Sequence, residues 1–208
     1  MTTNADALPS WERYYERQLG WPEHLSNALH HLPMMDAIRR RRPRSILEVG
    51  AGTGSLAIFL SYFGRRVTSI DLSPAVLEGA RDNARRLRGR VRFEVADAFT
   101  LDQYGDATFD VAISQGFFEH FSDDEIAALL GQQLRVARTA ILSVPNAAYG
   151  KQDRGDERLM TREEWDAIIR RAGFRIEESR DYRPVCRGTF TGHARRYPPS
   201  MYLAVVTL

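Results

Sequence analysis

A short apolar run, a glycine-rich turn and an apolar stripe follow one another around residue 50. Residues 46–49 form a β-prone run. Three alternating glycines follow it directly: Gly50, Gly52 and Gly54. Apolar side chains then recur at helical spacing as far as Gly64, which predicts an amphipathic helix. A second buried-strand pattern covers 67–70 and ends at Asp71. This order of strand, turn, helix, strand and acid predicts half of a mononucleotide-binding fold.

The rest of the chain continues the alternation of strand and helix patterns. Five further strand patterns are found at 91–95, 109–114, 140–144, 174–178 and 202–207. Helical patterns with N-cap signals precede or separate them, beginning after Ser73, Ser122 and Thr161. We therefore predict an α/β fold, Rossmann-like and doubly wound, with a seven-stranded and mostly parallel sheet. Helical patterns fill most of the first forty positions, so residues 1–44 are expected to form an N-terminal helical cap on a domain of residues 45–208.

The glycine turn and Asp71 indicate a site for an adenosine-containing cofactor. Glycines let the backbone approach a ligand, and the next helix offers free N–H groups at its N-terminus. An acid about 20 residues after the turn suits the hydroxyl groups of a ribose. The dinucleotide fingerprint fits less well, because its third glycine is expected at Ser55 and falls at Gly54 instead. The carboxylate of Glu48 would also repel a pyrophosphate, whereas it would favour a sulfonium or an amino group.

Residues 48–54, Glu-Val-Gly-Ala-Gly-Thr-Gly, together with Asp71, resemble motif I and the acidic loop of class I S-adenosylmethionine (SAM) dependent methyltransferases. The order of motifs matches this family over essentially the whole chain, with the second half matching by pattern. The resemblance implies SAM as cofactor, with Asp71 on the ribose and Asp97 on the adenine. The other cofactor contacts that it implies are Glu48, Gly50, Ala51, Gly52, Gly54, Leu72, Ala98 and Gln115. A glycine turn used only for chain reversal and a surface-turn role for Asp97 are the alternatives.

The residues after the fourth strand are candidates for contact with the methyl acceptor. They follow the strand beside the first one, where the sheet order reverses and ligands bind in such folds. In the family, Glu119-His120 at this point faces the methyl group and the acceptor. His120 is the catalytic candidate, either as a general base or as an orienting hydrogen-bond donor; a satisfied loop histidine is the alternative. The loop 147–159 lacks periodicity and is expected to be an acceptor-side lid.

Composition narrows the classes of partner and site. A net charge of +2 does not favour a nucleic-acid partner. The one basic cluster, residues 39–44, is either a solvated helix end or a phosphate or RNA contact. No apolar run approaches the ~20 residues that cross a bilayer, so no membrane partner is expected. Cys186 is the single cysteine, and the adjacent His30 and His31 cannot share a helix face, so we expect no disulfide, no catalytic thiol and no metal.

These observations favour a cytoplasmic SAM-dependent methyltransferase that acts on a small-molecule acceptor, as a monomer or homodimer. The main alternative is an RNA- or protein-modifying methyltransferase, although the Asp/Asn-Pro-Pro-Tyr signature of amino-methyltransferases is absent after strand four. A nicotinamide-dependent oxidoreductase or a non-catalytic nucleotide-binding module is the third class, and the glycine spacing argues against it. The aromatic stripe of Trp11, Tyr14 and Tyr15 either covers the cofactor site or packs the extension onto the domain.

Overall fold

The structure, a computed structural model, describes residues 8–15, 18–150, 155–184 and 198–208. Its centre is a seven-stranded sheet in the order β3-β2-β1-β4-β5-β7-β6. The strands are β1 (Ser45–Val49), β2 (Arg66–Asp71), β3 (Val91–Val95), β4 (Val111–Gln115), β5 (Ala140–Pro145), β6 (Arg175–Tyr182) and β7 (Met201–Thr207). The first five pair in parallel, and β7 pairs antiparallel with both β5 and β6. The predicted Rossmann-like, mostly parallel sheet is confirmed.

Seven α-helices accompany the sheet in the described part of the chain. They are α1 (Leu8–Tyr15), α2 (Trp21–His30), α3 (Leu32–Arg41), α4 (Ser55–Ser61), α5 (Pro74–Leu87), α6 (Asp123–Val136) and α7 (Arg162–Arg171). A short 3₁₀ helix, Phe118–His120, follows β4. None of the helices in the described ranges is long and apolar enough to cross a membrane. The predicted capping boxes at Ser122 and Thr161 are both formed, and Ser73 caps α5.

Alternate residues of the central strands face two separate hydrophobic layers. Ile141, Leu203 and Val205 pack with α3 and α4, whereas their neighbours along β5 and β7 pack with α6 and α7. This alternation follows from the two-residue period of a strand. Because both faces are covered, the middle strands are mostly apolar, as expected for a parallel sheet. The order reverses between β1 and β4, so the carboxyl ends of these strands border a crevice.

Two strand boundaries differ by two residues or more from the sequence-based expectation. The fourth strand starts at Val111, and just before it the Asp110 carboxylate accepts the backbone amides of Arg44 and Ser45. The sixth strand continues to Tyr182, well beyond the expected end at residue 178. Its register shifts between Ile176 and Glu178, which obscures the two-residue alternation along the strand.

Buried histidines tie the N-terminal helices to the domain. His24 of α2 shares a hydrogen bond of 3.0 Å with Ser55 at the start of α4. His31 shares one of 3.0 Å with the Tyr182 hydroxyl, which is 2.7 Å from Ser143 Oγ on β5. Burial lowers the pKa of His24. Burial and, after it, the charge of His30 lower the pKa of His31 well below its ordinary value. Both side chains are therefore neutral structural groups. Cys186 and His193 lie outside the described residues.

The basic cluster at 39–44 is the end of α3 and the segment that leads into β1. Arg39 and Arg40 pair with Asp36 on the same helix, and Arg40 also reaches Glu178 of β6. Arg41 pairs with Glu177. These groups are largely exposed, and cations at a helix C-terminus are favoured by the helix dipole. The pairs agree with the solvated-helix-end interpretation.

Candidate functional site

The glycine turn joins β1 to α4 at the crevice. All three of its glycines have positive φ, 80° at Gly50, 48° at Gly52 and 73° at Gly54. The amides of Gly50 and Ala51 both donate to the Ile70 carbonyl, at 3.0 and 2.9 Å, which fixes the turn against the end of β2. A Cβ built on Gly50 would lie 2.9 Å from the Phe117 ring, so only glycine fits this approach of the backbone to the segment after β4.

Asp71 ends β2 directly beside this turn. One of its carboxylate oxygens accepts the Ser73 amide at 3.0 Å. Burial raises its pKa above the ordinary value, and the amides of Ser73, Gly52, Ala51 and Leu72 act against that rise. A carboxylate held in this way is a hydrogen-bond acceptor at the edge of the crevice, as binding a ribose diol requires. The neighbouring Leu72 side chain is about half exposed.

Asp97 and Ala98 follow β3, on the same side of the crevice. The Asp97 carboxylate accepts the Phe99 amide at 2.9 Å, and its carbonyl accepts the Thr100 amide at 3.1 Å. This is a local turn of the kind that aspartate commonly closes. Ala98 lies within this turn, after the strand that pairs with β2. Both roles of Asp97 considered from the sequence are compatible with this geometry, so its contact with adenine stays a prediction.

Glu48 lies in the interior, beneath the first turn of α4. Its side chain is buried, and its carboxyl accepts hydrogen bonds from the Ser69 hydroxyl and the Ala57 amide. Burial raises its pKa to about 8. The carboxyl therefore occupies a helix N-terminus that would otherwise attract an anion. Its direct contact with a cofactor stays a prediction.

His120 and Gln115 border a cavity on the other side of the crevice. His120 Nδ1 is 3.1 Å from an oxygen of Asp156, and the edge of its ring contacts Trp11, with centroids 4.9 Å apart. Gln115 is the last residue of β4 and lines the same cavity of about 120 Å³. Tyr149 of the loop expected to be a lid lines it as well. The structure thus places His120 on the side away from the Gly50–Gly54 turn and Asp71.

The aromatic residues of α1 line this cavity. Trp11 and Tyr15 are stacked at 5.7 Å, and Tyr14 meets both rings edge-on. A Cβ built on Gly52 would lie within 3 Å of the Tyr15 ring. Helix α1 therefore lies over the glycine turn and the cavity together. This placement agrees with the covering role considered from the sequence.

Sequence reasoning pointed to Glu119 only through the Glu-His pair and left out two further carboxyl groups, those of Asp156 and Glu157. Glu119 lies in the 3₁₀ helix and is 3% exposed, and Glu157 lines the cavity with it. Burial, followed by the charges of Glu157 and Asp156, raises the pKa of Glu119 to about 8. Atoms of His120, Asp156 and Glu157 able to ligate a metal lie within 4.8 Å of one another. The Glu-His pair at 119–120 was the only available signal, because the loop that carries Asp156 and Glu157 has no periodicity.

Comparison with known proteins agrees with this arrangement. Residues 46–140 match a family model described as a methyltransferase domain. The chain is 36% identical to a malonyl-[acyl-carrier protein] O-methyltransferase of Geobacter sulfurreducens over 65% of this chain and 57% of that protein. It is 30% identical to the 27-O-demethylrifamycin SV methyltransferase of Amycolatopsis mediterranei over 73% of this chain and 61% of that protein. The chain thus spans less than two thirds of the length of each relative.

A solved SAM-dependent methyltransferase from Aquifex aeolicus has the same fold. Its TM-score is 0.67, with 17% identity, and the match covers 95% of this chain and 97% of that one. Together with the matched family model and the relatives, these findings agree with the glycine turn, the acid at the end of β2 and the strand order. Residues 46–140 thus match a methyltransferase domain, and the whole chain has a fold that SAM-dependent methyltransferases also have.

Proposed function

We propose that the protein transfers the methyl group of SAM to a small-molecule acceptor and releases S-adenosylhomocysteine (SAH). The observation that carries this proposal is the position of the cavity beside His120. It lies across the β1–β4 switch point from the glycine turn and Asp71. A cofactor held by the turn and Asp71 would direct its reactive end towards that cavity.

Methyl transfer from SAM requires mainly that the protein align the two substrates. The leaving group is a neutral thioether, so the main tasks are to hold the acceptor in line with the methyl group and to exclude water. The rings of Trp11 and Tyr15 are placed to exclude water from above the crevice. His120, next to Asp156, would either orient the acceptor or accept its proton.

The size of the cavity supports a small acceptor. Its volume of about 120 Å³ suits a small group better than a polymer segment. The names of the two relatives describe a malonyl group on a carrier protein and a rifamycin as acceptors. We propose for this chain a small-molecule acceptor, a cytoplasmic location, a cap at residues 1–44 and a cofactor-binding domain at 45–208.

Calorimetric titration with SAM, SAH and NAD tests the proposed function. We expect SAM and SAH to bind and NAD to bind more weakly, because Gly54 breaks the dinucleotide spacing and the Glu48 carboxyl occupies the α4 N-terminus. Tighter binding of NAD would contradict the proposal. Mass spectrometry of small molecules retained through purification would then identify candidate acceptors.

A further inference from the structure

A residue that lines the cavity has a buried carboxyl oxygen without a hydrogen-bond donor from the described residues. This oxygen is Oε2 of Glu119, whose side chain is 3% exposed. Leaving a buried polar atom unpaired costs free energy, so such atoms are normally satisfied by protein, water or a ligand. Glu119 borders the same cavity as His120. The unsatisfied oxygen therefore indicates a ligand with a hydrogen-bond donor.

Two further carboxyl groups lie at this part of the cavity. Glu157 is buried and lines the cavity, and Asp156 lies 3.1 Å from His120. After burial, their charges are what raise the pKa of Glu119. A cation beside Glu119 would act in the opposite direction, because an opposite charge favours the ionised carboxylate. The donor that suits this position is therefore positively charged.

Aromatic side chains form the opposite part of the lining. Trp11, Tyr14 and Tyr15 come from α1, and Tyr149 comes from the loop after β5. Aromatic rings attract organic cations through their quadrupoles, and carboxylates with aromatic rings are a common recognition set for ammonium groups. A hard metal ion would instead be surrounded by oxygen ligands and water. The lining therefore favours an organic ammonium group over a metal ion.

The cavity is separate from the residues expected to hold the adenosine. Its described lining includes the end of β4, the end of β5 and α1. It includes neither the Gly50–Gly54 turn nor Asp71 nor Asp97. The cation is therefore expected to belong to the acceptor, next to the position of the transferred methyl group.

We propose that the acceptor carries a protonated amino group, which Glu119, Glu157 and the aromatic residues of α1 bind beside His120. This inference rests on the proposed function, since it names the class of acceptor for the same site. In this proposal the ammonium group binds the acceptor to the protein. The atom that receives the methyl group belongs to another part of the acceptor.

Calorimetry with benzylamine and benzyl alcohol tests the proposal, because the two probes have nearly the same shape and differ in charge at pH 7. The titrations use the full chain saturated with SAH. We expect benzylamine to bind about tenfold or more tightly than the alcohol, as a hydrogen bond to a charged group allows. Glu119→Gln should abolish that difference while leaving the affinity for the alcohol unchanged. Asp124→Asn, at an exposed position on α6, removes the same charge elsewhere and should change neither affinity.

Glu157→Gln is the second variant, for use if circular dichroism shows that Glu119→Gln does not fold. It should also weaken benzylamine binding. Equal affinity for the two probes, or unchanged amine binding in both variants, would overturn the proposal. A third outcome would assign His120, Asp156 and Glu157 to a metal ion instead. In that outcome the wild type binds Mn²⁺ but no amine, and Asp156→Asn no longer binds Mn²⁺. Titration with SAH alone separates the two ideas. SAH binding without amine binding removes only the ammonium site, and amine binding without SAH binding removes only the proposed function.

Discussion

A Cβ atom built on Gly52 would lie 2.9 Å from Cε1 of Tyr15, so helix α1 rests directly on the glycine turn. No gap for a side chain exists between them. The turn and the helix that covers it are therefore in direct contact, and a larger side chain in the turn should displace α1. This contact provides a direct test of the cofactor site.

Gly52→Ala should weaken SAM binding and lower stability, whereas Gly64→Ala should lower stability alone. Gly64 also has positive φ, at 70°, but a Cβ there meets nothing within 4 Å. Alanine in a left-handed conformation costs ~1–2 kcal/mol, and we expect this loss in the free energy of unfolding of both variants. Calorimetry and urea unfolding measure the two effects. Equal loss of SAM affinity in both variants would contradict the assignment.

Asp71→Ala should weaken SAM binding by ~2–3 kcal/mol, in line with hydrogen bonds lost to a charged acceptor. The carboxylate stands at the end of β2 beside the glycine turn, where a ribose would lie. Calorimetric titration measures the change. Asp102→Ala, at an exposed position outside the crevice, is the matched control and should bind SAM as the wild type does. Unchanged affinity in Asp71→Ala would place the ribose elsewhere.

His120→Ala should leave SAM affinity nearly unchanged and lower turnover by ~100-fold or more, the usual loss for a general base. If His120 is a base, the wild-type rate should rise with pH through the range near neutrality where histidines titrate, and the variant should lose that rise. If it only orients the acceptor, the loss should appear in KM and depend little on pH. Asp156→Asn should shift the pH profile of a base, since Asp156 contacts Nδ1. Lost SAM binding in a folded His120→Ala protein would move His120 to the cofactor site.

Stability should fall as pH rises from 6.5 to 8, and Glu48→Gln should reduce that fall. Folding raises the pKa of Glu48 from 4.5 to about 8, so the folded state holds a proton that the unfolded chain has released. Below pH 6.5 the lowered pKa of His31 acts in the opposite direction, so the window begins there. Glu119, whose pKa is also raised to about 8, adds to the fall in both proteins, so the difference between them reports Glu48. We expect the change in melting temperature across this window to differ by roughly several degrees between wild type and variant. Glu163→Gln, at an exposed position, should keep the wild-type slope.

Tyr182→Phe should destabilise the fold by ~1–3 kcal/mol, because it leaves the buried His31 and Ser143 without their shared partner. Denaturant unfolding measures the loss. Tyr62→Phe is the control, because it also removes a hydroxyl that forms a hydrogen bond, here to the Leu87 carbonyl. Tyr62 is 40% exposed, so this variant should lose less free energy of unfolding. A larger loss in Tyr62→Phe than in Tyr182→Phe would contradict the structural role given to the His31 contact.

The sheet and the residues expected to bind the cofactor could be predicted from short-range sequence patterns. Strand runs, glycine turns and capping boxes are local signals, and the turn before α4 was located from glycine spacing alone. The carboxyl cluster could not be found in this way. Asp156 and Glu157 reach His120 only because the chain returns over the end of β5, a contact across 36 positions for Asp156. Likewise, the burial of Glu48 depends on α4 lying above it, and the His31–Tyr182 bond joins residues 151 positions apart.

Helix α1, eight residues long, touches both sides of the crevice. Glu12 accepts a hydrogen bond of 3.1 Å from the Ser73 hydroxyl just after β2, and Trp11 contacts His120 after β4. Because α1 lies directly on the turn, a cofactor that enters the turn must displace the helix, and the same movement opens the cavity that its aromatic residues line. We therefore expect compulsory-order kinetics, in which SAM enters before the acceptor and the methylated product leaves before SAH.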